Sequence, residues 1–358
     1  MNSARLSGNQ TVINCLQRSI LLSKSIVLKK TAVVILNFNG QKWLEKFLPT
    51  FIKYSTNADM VVIDNGSTDD SVNFINNEFP KINLIQLEKN LGFAGGYNEG
   101  LKHLHHSYFI IVNSDVEVTE NWIEPNIKIL ESEENIVAVQ PKIKSYNEKN
   151  KFEHAGAGGG WIDKLGFPFC RGRIINTLEI DENNYNDICD VFWASGACLF
   201  VNAKAFTEQG GFDSSFFAHM EEIDLCWRLA LKGKKFRYSS KSTIYHVGGG
   251  TLSVSNPQKT YLNFRNGLFM LLKNLPKKHL IIIPVRMILD FATAFLFWRK
   301  QGFSHFKAIF QAELDFILNL KTYWTKRNHR ATNKINLNYE VKSVVLQYFL
   351  FNEKTYKE

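Results

Sequence analysis

The sequence lacks the marks of several protein classes. Its five cysteines (Cys15, Cys170, Cys189, Cys198 and Cys226) are scattered and show no C-x-x-C spacing. Neither a disulfide framework nor a zinc site is therefore expected, and a reducing cytoplasm fits. The stretch CLQRSILLSKSIVLKK has no long apolar core and no small-residue cleavage site, unlike a secretory signal. Residues 1–30 read as a flexible tail or a misassigned start, with the strong pattern opening at Thr31. No long repeat or low-complexity block is present. The lysine-bearing phosphate loop of nucleotide hydrolases is missing. So is the dinucleotide fingerprint, since LNFNGQKWLEK offers only Gly40 after the first apolar run.

What is present points to an α/β protein. Hydrophobic residues make up 45% of the chain and charged residues 22%, enough for a sizeable core. Apolar runs alternate with helical spacing: AVVILNF, then QKWLEKFLPTFIKY; MVVIDNGS, then TDDSVNFINNEF; INLIQLE, then AGGYNEGLKHLHH; YFIIVNSD; and IVAVQPKI. Continuous rather than alternating hydrophobic strands imply burial on both faces, hence a mostly parallel sheet flanked by helices. Ligands of such sheets bind past the carboxyl ends of the strands. Those ends carry Asn37 and Asn39, then Asp64, Asn65 and Ser67, then Asn113, Ser114 and Asp115. Each is also ordinary turn chemistry, but three polar ends on one edge suggest a site. The glycine-rich HAGAGGGWIDKLG (His154–Gly166) reads as a mobile surface loop or a flap.

Charge is unevenly distributed. The net charge is +9, and residues 273–358 hold 15 Lys/Arg against 6 Asp/Glu, while the first 272 residues balance at 28 against 28. LIIIPVRMILDFATAFLFW (Leu280–Trp298) is long enough for a membrane span, but Arg286 and Asp290 make that costly and Pro284 interrupts it. An interfacial helix is the better reading. FSHFKAIFQAELDFILNL adds an apolar stripe of Phe303, Phe306, Phe310, Leu314 and Ile317. Two readings stand: both helices pack on the rest of the protein, or they bring it to an anionic membrane surface.

Four stretches taken in order carry a family resemblance: VVIDNGSTDDS; EKNLGFAGGYNEG; VNSDVEV; and GGFDSSFFAHMEEIDLCWRLALKG followed by IYHVGGGT. The set resembles the family 2 glycosyltransferases of GT-A fold, nearest to their rhamnosyltransferase-like branch, over roughly Thr31 to Pro276. The resemblance implies a GT-A domain at 31–276 and a basic helical region at 277–358. It implies an inverting enzyme that uses Mg2+ or Mn2+ and a nucleotide-diphospho-sugar, with dTDP or UDP and rhamnose favoured. Asp115 matches the metal-binding Asp of the DxD-like motif, with Asn113 in place of the first Asp, and His246 matches a metal or diphosphate ligand. Asp64 matches the base-contacting Asp. Asn90, Gly92, Gly95, Gly96 and Asn98 match the glycine-rich donor segment, where backbone N–H groups at a helix start could meet an anion. Trp193, Ser195 and Gly196 match the sugar and acceptor side.

The same resemblance makes Glu222 the general base where relatives carry Asp, with Glu221 and Asp224 beside it. Acids in the first turn of a helix also favour its dipole, so a capping reading stays open for all three. The implied acceptor is a cell-surface glycan or lipid-linked oligosaccharide, at the cytoplasmic face of the membrane. No nucleic-acid partner is expected. The rivals are a non-catalytic nucleotide- or glycan-binding relative and a nucleotide-dependent oxidoreductase.

Overall fold

A computed structural model describes residues 30–249, 255–327 and 343–356. The stretch expected to form an N-terminal tail lies outside these residues, apart from Lys30. Thirteen strands are found among the described residues: β1 (Thr31–Asn37), β2 (Asp59–Asp64), β3 (Asn83–Gln86), β4 (Tyr108–Asn113), β5 (Val116–Glu117), β6 (Ile136–Ser145), β7 (Gly160–Ile162), β8 (Pro168–Cys170), β9 (Arg173–Ile174), β10 (Thr177–Leu178), β11 (Ile188–Val191), β12 (Cys198–Asn202) and β13 (Lys235–His246).

The large sheet runs β11-β13-β6-β12-β4-β1-β2-β3, with β5 on β13. β4, β1, β2 and β3 are mutually parallel, as are β6 and β13. β12 runs antiparallel between β4 and β6. The mixed α/β fold with its mostly parallel sheet is thus the one the apolar runs predict.

Successive residues of β1 enter opposite cores. Ala32 and Val34 pack with the helices Gly92–Leu101 and Glu221–Ala230, whereas Val33 and Ile35 face Leu44, Phe47, Leu48 and Phe51 of the helix Gln41–Tyr54. All four β1 residues are fully buried. Each large side chain so buried contributes about 1.5–3 kcal/mol. Glycine brings the Gly92–Leu101 helix close to the sheet, since a Cβ on Gly100 would sit 2.2 Å from Ile63 Cδ1.

Two expectations need correction. The His154–Gly166 segment is not a mobile loop. It leads into β7 of a four-stranded antiparallel sheet, β10-β9-β8-β7, and residues 156–160 are buried. Its glycines serve close packing: a Cβ on Gly160 would lie 2.2 Å from the Trp193 ring. Nor does Pro284 interrupt the apolar helix, which runs Ile282–Gln301. Pro284 lies in its first turn, where the backbone N–H has no intrahelical partner to lose.

The C-terminal part is helical. The helix Pro257–Asn274 packs against Glu221–Ala230 on one side and against Phe303–Leu318 on the other.

Candidate functional site

The register of the parallel strands assembles the first group of polar residues. Asn37 pairs with Asp64 across β1 and β2, and Leu36 pairs with Asn113 across β1 and β4. The three strand ends therefore stop together. Asn37 Nδ2 donates to Asp64 Oδ1 (3.0 Å) and to Ser67 Oγ (3.2 Å). The Ser67 N–H donates to Asp64 Oδ2 (3.0 Å). Asn39, at φ 49, uses its side-chain oxygen to accept from the Thr68 N–H at 2.7 Å. Asp64 is buried, as is Asn37, whose Oδ1 has no partner.

The glycine-rich segment behaves differently from the expected anion cradle. Gly92 takes φ +73, where a Cβ would lie 2.5 Å from Phe217. The Gly92 N–H donates to Asn90 Oδ1 (2.8 Å), and the Ala94 N–H donates to Phe217 O (3.1 Å). These donors of the helix start are already engaged. Gly95 and Gly96 are buried, and Gly96 packs against Leu36 and Asn65. Asn65 donates to Asn90 Oδ1 and Gly92 O (both 3.0 Å) and accepts from the Leu91 N–H. Asn98 bonds Phe212 through both ends of its amide (2.7 and 2.9 Å). Asn65 and Asn98 are thus placed as internal clamps, with their hydrogen-bonding groups turned to the protein.

Beyond β4 lies a charged triad. β13 runs back past β5, and the Val247 N–H donates to Asp115 O (3.1 Å). This brings His246 Nε2 to 3.1 Å from Asp115 Oδ1 and 3.2 Å from Asn113 Nδ2. The other ring nitrogen, Nδ1, lies 3.0 Å from Glu153 Oε2. All three titratable groups are buried. Burial alone would lower the His246 pKa, but the Asp115 and Glu153 carboxylates raise it to about 10. Burial would raise both carboxyls, yet the facing imidazolium holds Asp115 below its ordinary value and Glu153 down to about 2. Without a cation, His246 is doubly protonated and donates to both acids. Ser114 follows Asn113 at the same turn, near Gly40.

These residues fit a small divalent cation. The 3.1 Å between Asp115 Oδ1 and His246 Nε2 is about the separation of neighbouring ligands around an ion with ~2.1 Å bonds. Glu153 on Nδ1 is the outer carboxylate that commonly orients a metal-binding histidine. Among the described residues, no group of three or more His, Cys, Asp or Glu is arranged as a ligand set. Asp115 and His246 would thus supply two ligands to such a cation, with the rest of its shell coming from water or a bound anion.

The second acidic group opens the helix Glu221–Ala230. The loop before it is bent, with Phe217, His219 and Met220 all at positive φ (65, 69 and 73). Such backbone is costly unless its surroundings fix it. Here Asn266 Nδ2 donates to the carbonyls of Phe216, Ala218 and His219 (2.8–2.9 Å). Asp224 is fully buried and fully engaged: Arg228 Nε at 2.8 Å, Lys273 Nζ at 2.9 Å and Asn274 Nδ2 at 2.8 Å. It anchors the helix.

Glu221 and Glu222 differ from Asp224. Each has a buried Oε2 without a partner. Burial raises the Glu221 pKa well above the ordinary value, with the Glu222 charge adding to it. Burial also raises Glu222, but the backbone N–H groups of Glu222, Gly196 and Ile223 oppose the shift. Both carboxyls are thus raised, Glu221 the further of the two. Gly196 lies beside Glu222, where a Cβ would be 3.7 Å from the Glu222 Cβ, an ordinary contact.

Gly196 and Ala197 join both groups: the Asn113 N–H donates to Ala197 O (3.2 Å), and the Gly196 N–H faces the Glu222 carboxyl. Ser195 is held inside by Gln140 and Ala155 O, and Trp193 Nε1 donates to Trp161 O.

Sequence reasoning missed Glu153, Asn266 and Lys273. No spacing marks them, since each acts through a neighbour brought close only by folding.

The family described as Glycosyl transferase family 2 matches residues 32–200. This span includes Asp64 and Asp115 and ends before the Glu221–Glu222 pair. The low-salt glycan biosynthesis hexosyltransferase Agl10 of Haloferax volcanii is 22% identical over 258 residues, covering 70% of this chain and 78% of that relative. The N-acetylglucosaminyl-diphospho-decaprenol L-rhamnosyltransferase of Mycobacterium tuberculosis is 26% identical over 230 residues, covering 60% and 75%. Among solved structures, S. aureus TarS 1-349 in complex with UDP-GlcNAc superposes with a TM-score of 0.53 at 18% identity, covering 92% of this chain and 93% of that one. At that identity the likeness concerns the fold, which is GT-A.

Proposed function

We propose, from the match of residues 32–200 to glycosyltransferase family 2 and the rhamnosyltransferase among the relatives, that the chain is an inverting, metal-dependent glycosyltransferase. It moves a sugar, rhamnose favoured, from a dTDP- or UDP-linked donor to a hydroxyl of a lipid-linked glycan. The observation that carries this reading is the pairing of two acid groups bridged by Gly196 and Ala197. One group, Asp115 with His246, is suited to a cation. The other, Glu222 with Glu221, has unpartnered buried oxygens.

In this reading Asp64 accepts the imide N–H of the base, and Asn37 and Ser67 hold its carboxylate. Asp115 and His246 would hold Mg2+ or Mn2+. When bound, the cation offsets the negative charge that grows on the departing nucleoside diphosphate. Glu222 takes the proton of the acceptor hydroxyl as its oxygen attacks the anomeric carbon. A carboxylate with a raised pKa is the stronger base for that transfer. Glu221, raised further than Glu222, supports the base from the same helix turn. The lipid-linked acceptor is supported by the M. tuberculosis relative, which is named for a diphospho-decaprenol substrate.

The test is a thermal-shift panel of UDP, dTDP, GDP and NAD, each with and without Mn2+, on the wild type and Asp115→Ala. A Mn2+-dependent shift with one diphosphate, lost in Asp115→Ala, is the expected result. A shift with NAD, or none at all, would remove the reading.

A further inference from the structure

We propose that the helices Ile282–Gln301 and Phe303–Leu318 form a docking surface for an anionic lipid leaflet, lying along the interface without crossing it. This goes beyond the transfer reaction and is tested independently of it.

The first observation is the direction of the apolar stripe. Phe303, Phe310, Leu314 and Ile317 are exposed, while His305, Ala308, Ala312 and Glu313 of the same helix are buried. The preceding helix repeats this inversion: Ile288 is 69% exposed, and Phe295 and Trp298 are about half exposed, whereas Arg286 and Asp290 are buried. Each helix buries its acids Asp290 and Glu313 and turns large apolar side chains to the surroundings. Water-soluble monomers rarely expose a continuous apolar surface of this kind without a partner.

Charge selects the partner. Between residues 277 and 327 every exposed charged side chain is a cation. They run from Lys277 and Lys278 through Arg299, Lys300 and Lys307 to Lys321 and Lys326. The acids of the segment are withdrawn: Asp290 and Glu313 are buried, and Asp315 accepts from Tyr261 at 2.7 Å. A second copy of the chain would set these cations against each other. An anionic leaflet attracts them, and exposed Trp and Phe suit its headgroup boundary.

Anchoring explains why the surface lies flat. The segment Lys277–Gln301 is long and apolar enough to cross a membrane, but one of its sides is fixed to the protein. Arg286 Nε donates to Asp290 Oδ1 (3.0 Å), Arg286 Nη1 donates to Gly166 O (3.1 Å), and the guanidinium lies 3.5 Å from the Phe167 ring centroid. Crossing would pull this pair off its partners and into lipid. The helix Pro257–Asn274 ties the surface to the acid groups. Thr260 meets His305 at 2.8 Å, while Lys273 and Asn274 hold Asp224. Docking therefore fixes how the Glu222 side faces an acceptor borne by the leaflet.

The experiment is flotation of the full chain with phosphatidylcholine vesicles, with or without phosphatidylglycerol. It compares the wild type with the double variants Ile288→Glu/Leu314→Glu and Arg299→Glu/Lys300→Glu, and adds alkaline extraction and size-exclusion chromatography. We expect capture only by the phosphatidylglycerol vesicles, loss of capture at high salt, and release by alkaline extraction. Both variants lose most capture while keeping the wild-type melting temperature. Wild type that stays unbound, or variants that float equally well, would overturn the proposal. Retention after extraction would mean a span. A dimer dissociated by Ile288→Glu/Leu314→Glu would mean that a second copy covers the face.

Discussion

Glu153 Oε2 lies 3.0 Å from Nδ1 of His246, and that contact fixes which ring nitrogen faces Asp115. In Glu153→Gln the ring keeps a hydrogen-bond partner but loses the carboxylate that makes it a stronger ligand. Mn2+ affinity in the presence of UDP should fall by roughly 10–100-fold, read by calorimetry or by the Mn2+ spin-resonance signal. Unchanged affinity would leave Glu153 a purely structural residue.

Glu222→Gln preserves size and hydrogen bonding but cannot accept the proton. Turnover should drop by ~10²–10⁴-fold, with donor affinity nearly intact. Glu221→Gln should cost less, because burial raises Glu221 well above its ordinary value and Gln keeps its size and hydrogen-bonding groups. Initial rates at saturating donor decide between them. A dead Glu221→Gln with a healthy Glu222→Gln would make Glu221 the base.

Asp224→Ala is expected to act on stability. It leaves the buried Lys273 ammonium without one of its two carboxylate partners, Asp213 being the other. Removing one member of a buried charge cluster costs about 3–5 kcal/mol. The thermal midpoint should fall by several degrees. A wild-type midpoint with abolished turnover would return Asp224 to a direct role in transfer.

Glu313 supplies a pH dependence. Burial, with the nearby Asp290 charge and a hydrogen bond to Asp290 adding to it, raises its pKa to about 8. The folded state holds this proton to higher pH than the unfolded chain does. Stability therefore falls as pH rises from about 4.5 towards 8. Glu313→Gln removes this loss. Its melting temperature should exceed the wild type's at pH 8.5, by about 2–4 °C per kcal/mol recovered, and the gap should narrow at pH 5.5. A gap independent of pH would show that Glu313 stays ionised throughout.

Most of the sheet was legible because buried parallel strands need continuous apolar sequence. AVVILNF, MVVIDNGS and YFIIVNSD show this directly, and their polar ends come together at the edge of the candidate site. The antiparallel insertion of β12 was not legible. A fully buried strand reads the same in either direction, and CLFVN carries no sign of its neighbours. Residues 154–166 were misread because glycine serves mobility and close approach alike. Only the Trp193 ring over Gly160 decides between them.

The sequence by itself determined the α/β architecture, the order of the motifs, and the concentration of positive charge after residue 272. These are properties of composition and local periodicity. Tertiary structure alone decided what the polar residues do. Asn65 and Asn98 turn inward because their amides meet backbone groups in the folded chain, and Asp224 becomes an anchor because helix packing brings Lys273 and Asn274 onto it. Glu153 joins Asp115 through His246 because β13 returns beside β5. Such roles depend on contacts across as many as 131 residues, here from Asp115 to His246, and no local pattern encodes a contact at that separation.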